Sequence, residues 1–410
     1  MQWTRNLAGP PGQIPALDGL RALAILLVMM RHGVAEYPKF TGVESLPSAL
    51  NLMANGWLGV DLFFVLSGFF IAHHLIRRWP AQGPSFGFLK TYLAKRVLRT
   101  FPLYYAVIAL ILLGAIPLYQ HNSSDPIFDL SVHLLFMQDY FGARFLVALW
   151  SLATEEKFYL LAPWLVGLLL ALQGRPRWQL SLALALCLLP LLGRTWVLLT
   201  QNIDSYGEFF WAVRAPFHQA LDGFGWGILM ALLYQKRPPA PGLAPRALWA
   251  FALCAALMVG LLSVTDWLGS ARWGWVSLGI AVGSVLFAAM VLSACYLTGP
   301  LARLLCSVPL RLISRLSFSL YLAHMLVIPL SLALVPPQTL QGVTGWLGFL
   351  ALYSLLSTAL ALALHLVVER PLLRVKDRLR FPPPDAGRSA RSGTPAAPAP
   401  GHSAGVDPRR

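Results

Sequence analysis

Charged side chains are scarce in this chain. Asp, Glu, Lys and Arg make up 12% of its 410 residues against 57% hydrophobic, with a mean hydropathy of +0.62. That shortage excludes an ordinary soluble globular domain. Strict alternation of apolar and polar residues is also missing, which argues against a membrane β-barrel. Only four cysteines occur, Cys187, Cys254, Cys295 and Cys306. They fall in apolar stretches or on the side read below as cytoplasmic, so they are packing thiols and no disulfide is expected. His73 and His74 are adjacent, cannot share a helix face and have no Cys or carboxylate cluster beside them, so no metal site is expected. A cleavable signal peptide is missing too. The first apolar run carries Arg21 and lacks a small-residue cleavage site, so it reads as an uncleaved anchor. Neither an internal repeat nor a second soluble domain can be read.

What is present is a succession of apolar runs. A helix needs ~20 apolar residues to cross a bilayer. Stretches of that kind fall at 17–35, 57–76, 100–118, 148–171, 178–198, 217–235, 246–265, 275–297, 316–336 and 345–368. The expected fold is therefore all-α: a polytopic integral membrane protein with about ten transmembrane helices. Basic residues test that reading. Of the 32 Lys and Arg, 24 lie in the termini and the even-numbered loops. Five lie in the other loops (Lys39, Arg144, Arg194, Arg214, Arg272) and three within spans (Arg21, Arg31, Lys157). The bias places both termini in the cytoplasm, as in a bacterial inner membrane protein. It also explains the net charge of +15 as topology and contact with anionic lipid, with no nucleic-acid partner.

Three regions follow. Residues 1–16 form a cytoplasmic N-terminal segment, 17–373 the transmembrane domain, and 374–410 a basic and then disordered cytoplasmic tail rich in Pro, Ala, Gly and Ser. Residues 85–99, "SFGFLKTYLAKRVLR", alternate apolar and basic positions at helical spacing, which suits a short interfacial helix. Gly223, Gly225 and Gly227 look like part of a dinucleotide loop but follow no strand, so close helix packing is their expected role.

Polar residues at membrane depth carry the functional signal, because they are costly there. Arg21 and His32 lie eleven residues apart in "LDGLRALAILLVMMRHG". That is about three helical turns, so both point to one face, ~16 Å apart along the axis. The pair suits a long, thin substrate with phosphates at Arg21 and a reactive carbon near His32. Asp61 and Ser67 fall in the second span, and Glu155 and Glu156 in the fourth, where at most one carboxylate can face His32. Asp222 opens the sixth span, and Tyr321 and His324 are neighbours in the ninth. Arg96 and Arg99 stand one turn apart at the mouth of the third. So many polar groups at overlapping depth predict a polar cavity.

These segments resemble the acyltransferase-3 family of integral membrane acyltransferases. The matching stretches are "LDGLRALAILLVMMRHG", "GVDLFFVLSGFFIA", "KRVLRTFPLYY", "LWSLATEEKFYLLAPW", "ALDGFGWGILMALL", "ISRLSFSLYLAHMLV" and "VVERPLL", in the family's order over 17–373. The resemblance implies transfer of an acyl group, usually acetyl from acetyl-CoA, to a hydroxyl of a sugar or other acceptor. It maps an arginine–ten residues–histidine pattern onto Arg21 and His32, an Arg-x-x-Arg pattern onto Arg96 and Arg99, and an acidic span onto Glu155 and Glu156. Lys157 departs from it, standing where Gln is expected. The C-terminal esterase-like domain of some members is not expected here. The assignment is then His32 as general base, Glu155 or Glu156 as its orienting or acid–base partner, and Arg21, Arg96 and Arg99 for the acyl-CoA phosphates. Asp61, Ser67, Asp222, Tyr321 and His324 are the substrate-side residues. The rival from another class is a proton-coupled transporter or a flippase of a lipid-linked glycan, which would also hold intramembrane His and carboxylates. Coenzyme A binding separates the two.

Overall fold

A computed structural model describes residues 14–237, 240 and 242–381. The expected disordered tail at 382–410 lies outside the described residues. Within them the chain is helical and contains no strand. Ten long helices carry the fold: α1 Ala16–Val34, α2 Gly59–Arg78, α3 Phe86–Leu112, α4 Leu149–Ala171, α5 Pro176–Thr200, α6 Leu221–Lys236, α7 Leu243–Ser263, α8 Trp273–Ala294, α9 Val308–Ala323 and α10 Gly342–Leu364. A short amphipathic helix, α11 Arg370–Arg378, follows a π-helical turn at His365–Glu369.

Five of these helices (α2, α5, α7, α8, α10) are long and apolar enough to cross a membrane. A sixth is reached if α9 is counted with the bent segment Gly299–Leu305 before it, 41° off its axis. The other four are α1, α3, α4 and α6. Three of them carry several of the intramembrane charges, and α6 has only sixteen residues. Burial sorts the five. Sixty-seven per cent of the apolar stretch of α2 and 61% of that of α8 are inside the protein, against 28%, 22% and 28% for α5, α7 and α10. The latter three, with Trp164 on α4, turn bulky side chains such as Trp178, Trp196, Trp249 and Leu355 outward. Such a surface suits lipid, not water.

The centre of the bundle is the α2–α6 contact, where the backbones nearly touch. A Cβ on Gly227 would lie 2.6 Å from Phe69 N and closer still to the Val65 carbonyl oxygen. A Cβ on Gly223 would meet Phe64 Cβ at 2.9 Å, and one on Gly225 would meet the Leu186 backbone at 2.9 Å. The three glycines therefore serve close helix packing, as their sequence context suggests. Gly227→Ala should destabilise the protein by about 1–3 kcal/mol, because backbone atoms cannot yield as side chains do. Thermal unfolding in detergent checks this; an unchanged midpoint would show that the helices can part at no cost.

Three expectations are corrected. The interfacial helix at 85–99 is not a separate element. It is the first half of α3, capped by the Ser85 hydroxyl, which accepts from Phe88 N at 3.2 Å. Nothing between 86 and 101 breaks a helix, and 27 residues span ~40 Å, longer than the hydrocarbon core, so the basic half extends beyond it. The ninth span does not run over 316–336. It starts at Val308 and ends at Ala323, followed by a turn and a second short helix, Ile328–Leu334, opened by Pro329. A proline near a helix start cannot continue the ladder behind it, and the break leaves His324 at the tip of α9. Finally, Arg194 and Arg214 do not belong to exposed loops; both are buried, Arg194 within α5 and Arg214 on a π-helical turn, Phe210–Arg214.

Candidate active site

Two cavities lie end to end in the bundle. The first, about 150 Å³, opens among α1, α2, α3, α4 and α9 and is lined by Arg21, Ser67, Arg96, Arg99, Glu155 and Tyr321, with Phe63 and Phe70 among its apolar walls. The second, about 280 Å³, lies beyond it at the other end of α1, lined by Arg31, His32, Trp57, Trp150, Arg214 and His324 among others. Val60 and Tyr321 line both, so they form the shared wall. The Tyr321 hydroxyl is held by Ser151 Oγ at 2.6 Å and by the Ala148 carbonyl at 3.0 Å.

The first cavity gathers three cations around one carboxylate. Arg96 and Arg99 reach it because three residues make nearly one turn of α3. Arg21 comes from α1, its guanidinium 3.3 Å from Asp18 and 4.9 Å over the Phe70 ring. Arg96 lies 5.5 Å over the Tyr159 ring, and its buried Nε has no partner. Glu155 accepts from both Ser67 Oγ and the Tyr159 hydroxyl. Two hydroxyl donors and nearby arginines hold that carboxylate in place. Tyr159 escaped the sequence reading, although its spacing of four from Glu155 on one helix face was there to be read.

The second cavity gathers two imidazoles. The His32 and His324 rings stand 5.0 Å apart between centroids, tilted by 53°. His324 is fully buried, with Nδ1 3.2 Å from the Leu320 carbonyl. A carbonyl only accepts, so Nδ1 carries the proton in the neutral ring and Nε2 keeps its lone pair. That Nε2 is buried without a partner.

The expected residues are thus divided between two cavities. Arg21, Arg96, Arg99, Ser67 and Glu155 come together, and His32 joins His324, with Tyr321 between the sets. Neither carboxylate of α4 is beside His32. Glu155 faces the arginines, and Glu156, one residue on and ~100° round the helix, is buried outside both linings with Oε1 unpartnered. Asp61 does not face a cavity. It takes both Nη atoms of Arg214 at 2.9 and 2.6 Å, and it is Arg214 that lines the second cavity. Asp222 is also withdrawn. It is buried against Arg194 Nη2 at 2.7 Å, and Arg194 also bonds the Gln219 carbonyl and Ser277. A buried acid needs a cation, and in each case an arginine distant in sequence supplies it. Lys157 is tied to Asp139 at 2.6 Å, away from Glu155.

Comparison with known proteins gives a consistent result. A family profile described as an acyltransferase domain matches residues 14–366. The peptidoglycan O-acetyltransferase OatA of Listeria monocytogenes is 31% identical over 189 residues, which is 43% of this chain and 28% of that protein. The Bacillus subtilis protein named "Putative peptidoglycan O-acetyltransferase YrhL" is 27% identical over 378 residues, 88% of this chain and 55% of that protein. In both, the chain spans less than two thirds of the relative's length. No solved structure matches the chain.

Proposed function

This chain belongs to the acyltransferase-3 family, and from that premise we propose that it moves an acyl group, acetyl from acetyl-CoA, to a hydroxyl of a glycan-type acceptor. The observation that carries the reading is the pair of cavities sharing Tyr321 and Val60, arginines on one side and imidazoles on the other. Coenzyme A has phosphates at one end and a thioester at the other. In this reading Arg96, Arg99 and Arg21 hold the phosphates, and the acyl end points toward Tyr321. The termini and the arginine cavity face the cytoplasm, where acyl-CoA is made. The names of the Listeria and Bacillus relatives direct the acceptor toward cell-wall glycan.

The chemistry follows from the residues. The acceptor hydroxyl gives its proton to His32 as its oxygen attacks the thioester carbonyl. The C–S bond breaks, and the leaving thiolate takes the proton that His32 gained, which restores the neutral imidazole. His324 takes the orienting part first assigned to a carboxylate: its Nε2 lone pair receives the N–H of the His32 imidazolium. Glu155, fixed by Ser67 and Tyr159, offsets the arginine charge around the donor.

The test is donor binding. The purified protein in detergent should bind coenzyme A by titration calorimetry and transfer acetyl from acetyl-CoA. The R21A/R96A/R99A variant should bind it about tenfold or more weakly, since charge-assisted phosphate contacts are among the strongest polar interactions. Equal affinity in the folded variant would remove the donor assignment. No coenzyme A binding by the wild type would favour a transporter.

A further inference from the structure

The cavity that holds the imidazoles is lined by basic side chains and by no acidic one. Arg31, Arg214, His32 and His324 line it, and none of its lining residues is Asp or Glu. The two arginines differ. Arg214 has both Nη atoms on the Asp61 carboxylate and lies between Trp57 and Trp150, 5.2 Å from each ring. Arg31 is partly buried, one residue before His32, and among the described residues it has no ion-pair partner and no hydrogen bond from its side chain. A cation held beside a cavity without a counter-charge is poised to receive an anion.

The walls narrow the class of that anion. Trp57, Trp150, Trp211, Tyr206 and Phe210 line the same space. Flat aromatic faces suit the C–H face of a pyranose ring, and a few polar groups among them set its orientation. One lining residue holds a buried donor without a partner: Trp57, at its Nε1. A sugar hydroxyl oxygen can accept from it.

We infer that the acceptor is an anionic saccharide: its ring packs on the aromatic wall of Trp211, Tyr206 and Phe210, its acidic group pairs with Arg31, and its reacting hydroxyl lies beside His32 and His324. A carboxylate or a phosphate on the sugar would supply the same chemistry, since a guanidinium binds either in bidentate fashion. This inference rests on the acyl-transfer reading and names the acceptor class for it.

The test uses the full chain purified in detergent and three matched trisaccharides that differ only in carrying a carboxylate, a phosphate or neither. Binding is read by calorimetry without donor. Transfer of labelled acetyl from acetyl-CoA is read in parallel as kcat/KM. One of the anionic ligands should bind about tenfold or more tightly than the neutral one, the size expected of one charge-assisted contact, and the better of the two identifies the group. Arg31→Gln should bring that ratio close to one, and Arg31→Lys, which keeps the charge, should restore much of it. Equal affinity for all three saccharides, including none for any, overturns the inference. So does a ratio that Arg31→Gln leaves intact. Anion-selective, Arg31-dependent binding without acetyl transfer would sink the acyl-transfer reading and leave the anion site standing.

Discussion

Replacing His32 with alanine should lower acetyl transfer by about 10²–10⁴-fold, the range typical of a lost general base. Coenzyme A affinity should survive, because the arginines that would hold its phosphates line a different cavity. That split is what separates a base from a packing histidine. A packing histidine would cost yield and stability and leave the rate per folded molecule near normal. The measurement is acetyl transferred per mole of monodisperse protein, with coenzyme A titrated in parallel. A variant that keeps more than roughly half the wild-type rate would move the proton-accepting role to the ring beside it, since general-base losses are far larger than twofold. His324 is that ring, 5.0 Å away with Nε2 free.

The second large effect concerns stability and falls on Asp222. Its side chain and that of Arg194 are each 1% exposed, in a pair that ties α6 to α5. Asp222→Ala leaves a buried guanidinium without its carboxylate. Breaking such a pair from one side typically costs about 3–5 kcal/mol. The expected result is a collapse in monodisperse yield and a lower unfolding midpoint, while the folded fraction keeps its acceptor KM. Replacing both partners with apolar residues, R194M/D222L, should recover much of the loss, because no charge is then stranded. If Asp222→Ala folds normally and raises the acceptor KM, the residue belongs to the substrate side after all.

Much of the architecture was legible because lipid imposes a simple rule. Backbone polar groups must be satisfied within each helix, so long apolar runs announce helices. All ten expected runs correspond to helices, with the start of α3 and both ends of α9 displaced. Those errors have one cause: hydropathy reports the apolar stretch, whereas a helix continues until something breaks it. Hence α3 begins at Phe86 within a basic segment, and α9 ends at Ala323 within an apolar one.

By itself the sequence determined that this is a helical membrane protein, that Gly223, Gly225 and Gly227 serve close helix packing, and that Arg21, Arg96 and Arg99 are candidates for one anion-holding group. Residues on one helix face, or one turn apart, can be matched from spacing alone. Only the tertiary structure decided which helices meet. It gave Asp61 to Arg214 and Asp222 to Arg194, pairings across 153 and 28 positions that no local pattern encodes. It turned Glu155 toward the arginines and Glu156 away. It set His324 against His32 from the far end of the chain, and left Arg31 beside them with no carboxylate. The reason is the same throughout: a buried charge takes the partner that packing brings to it, and packing joins faces of helices distant in sequence.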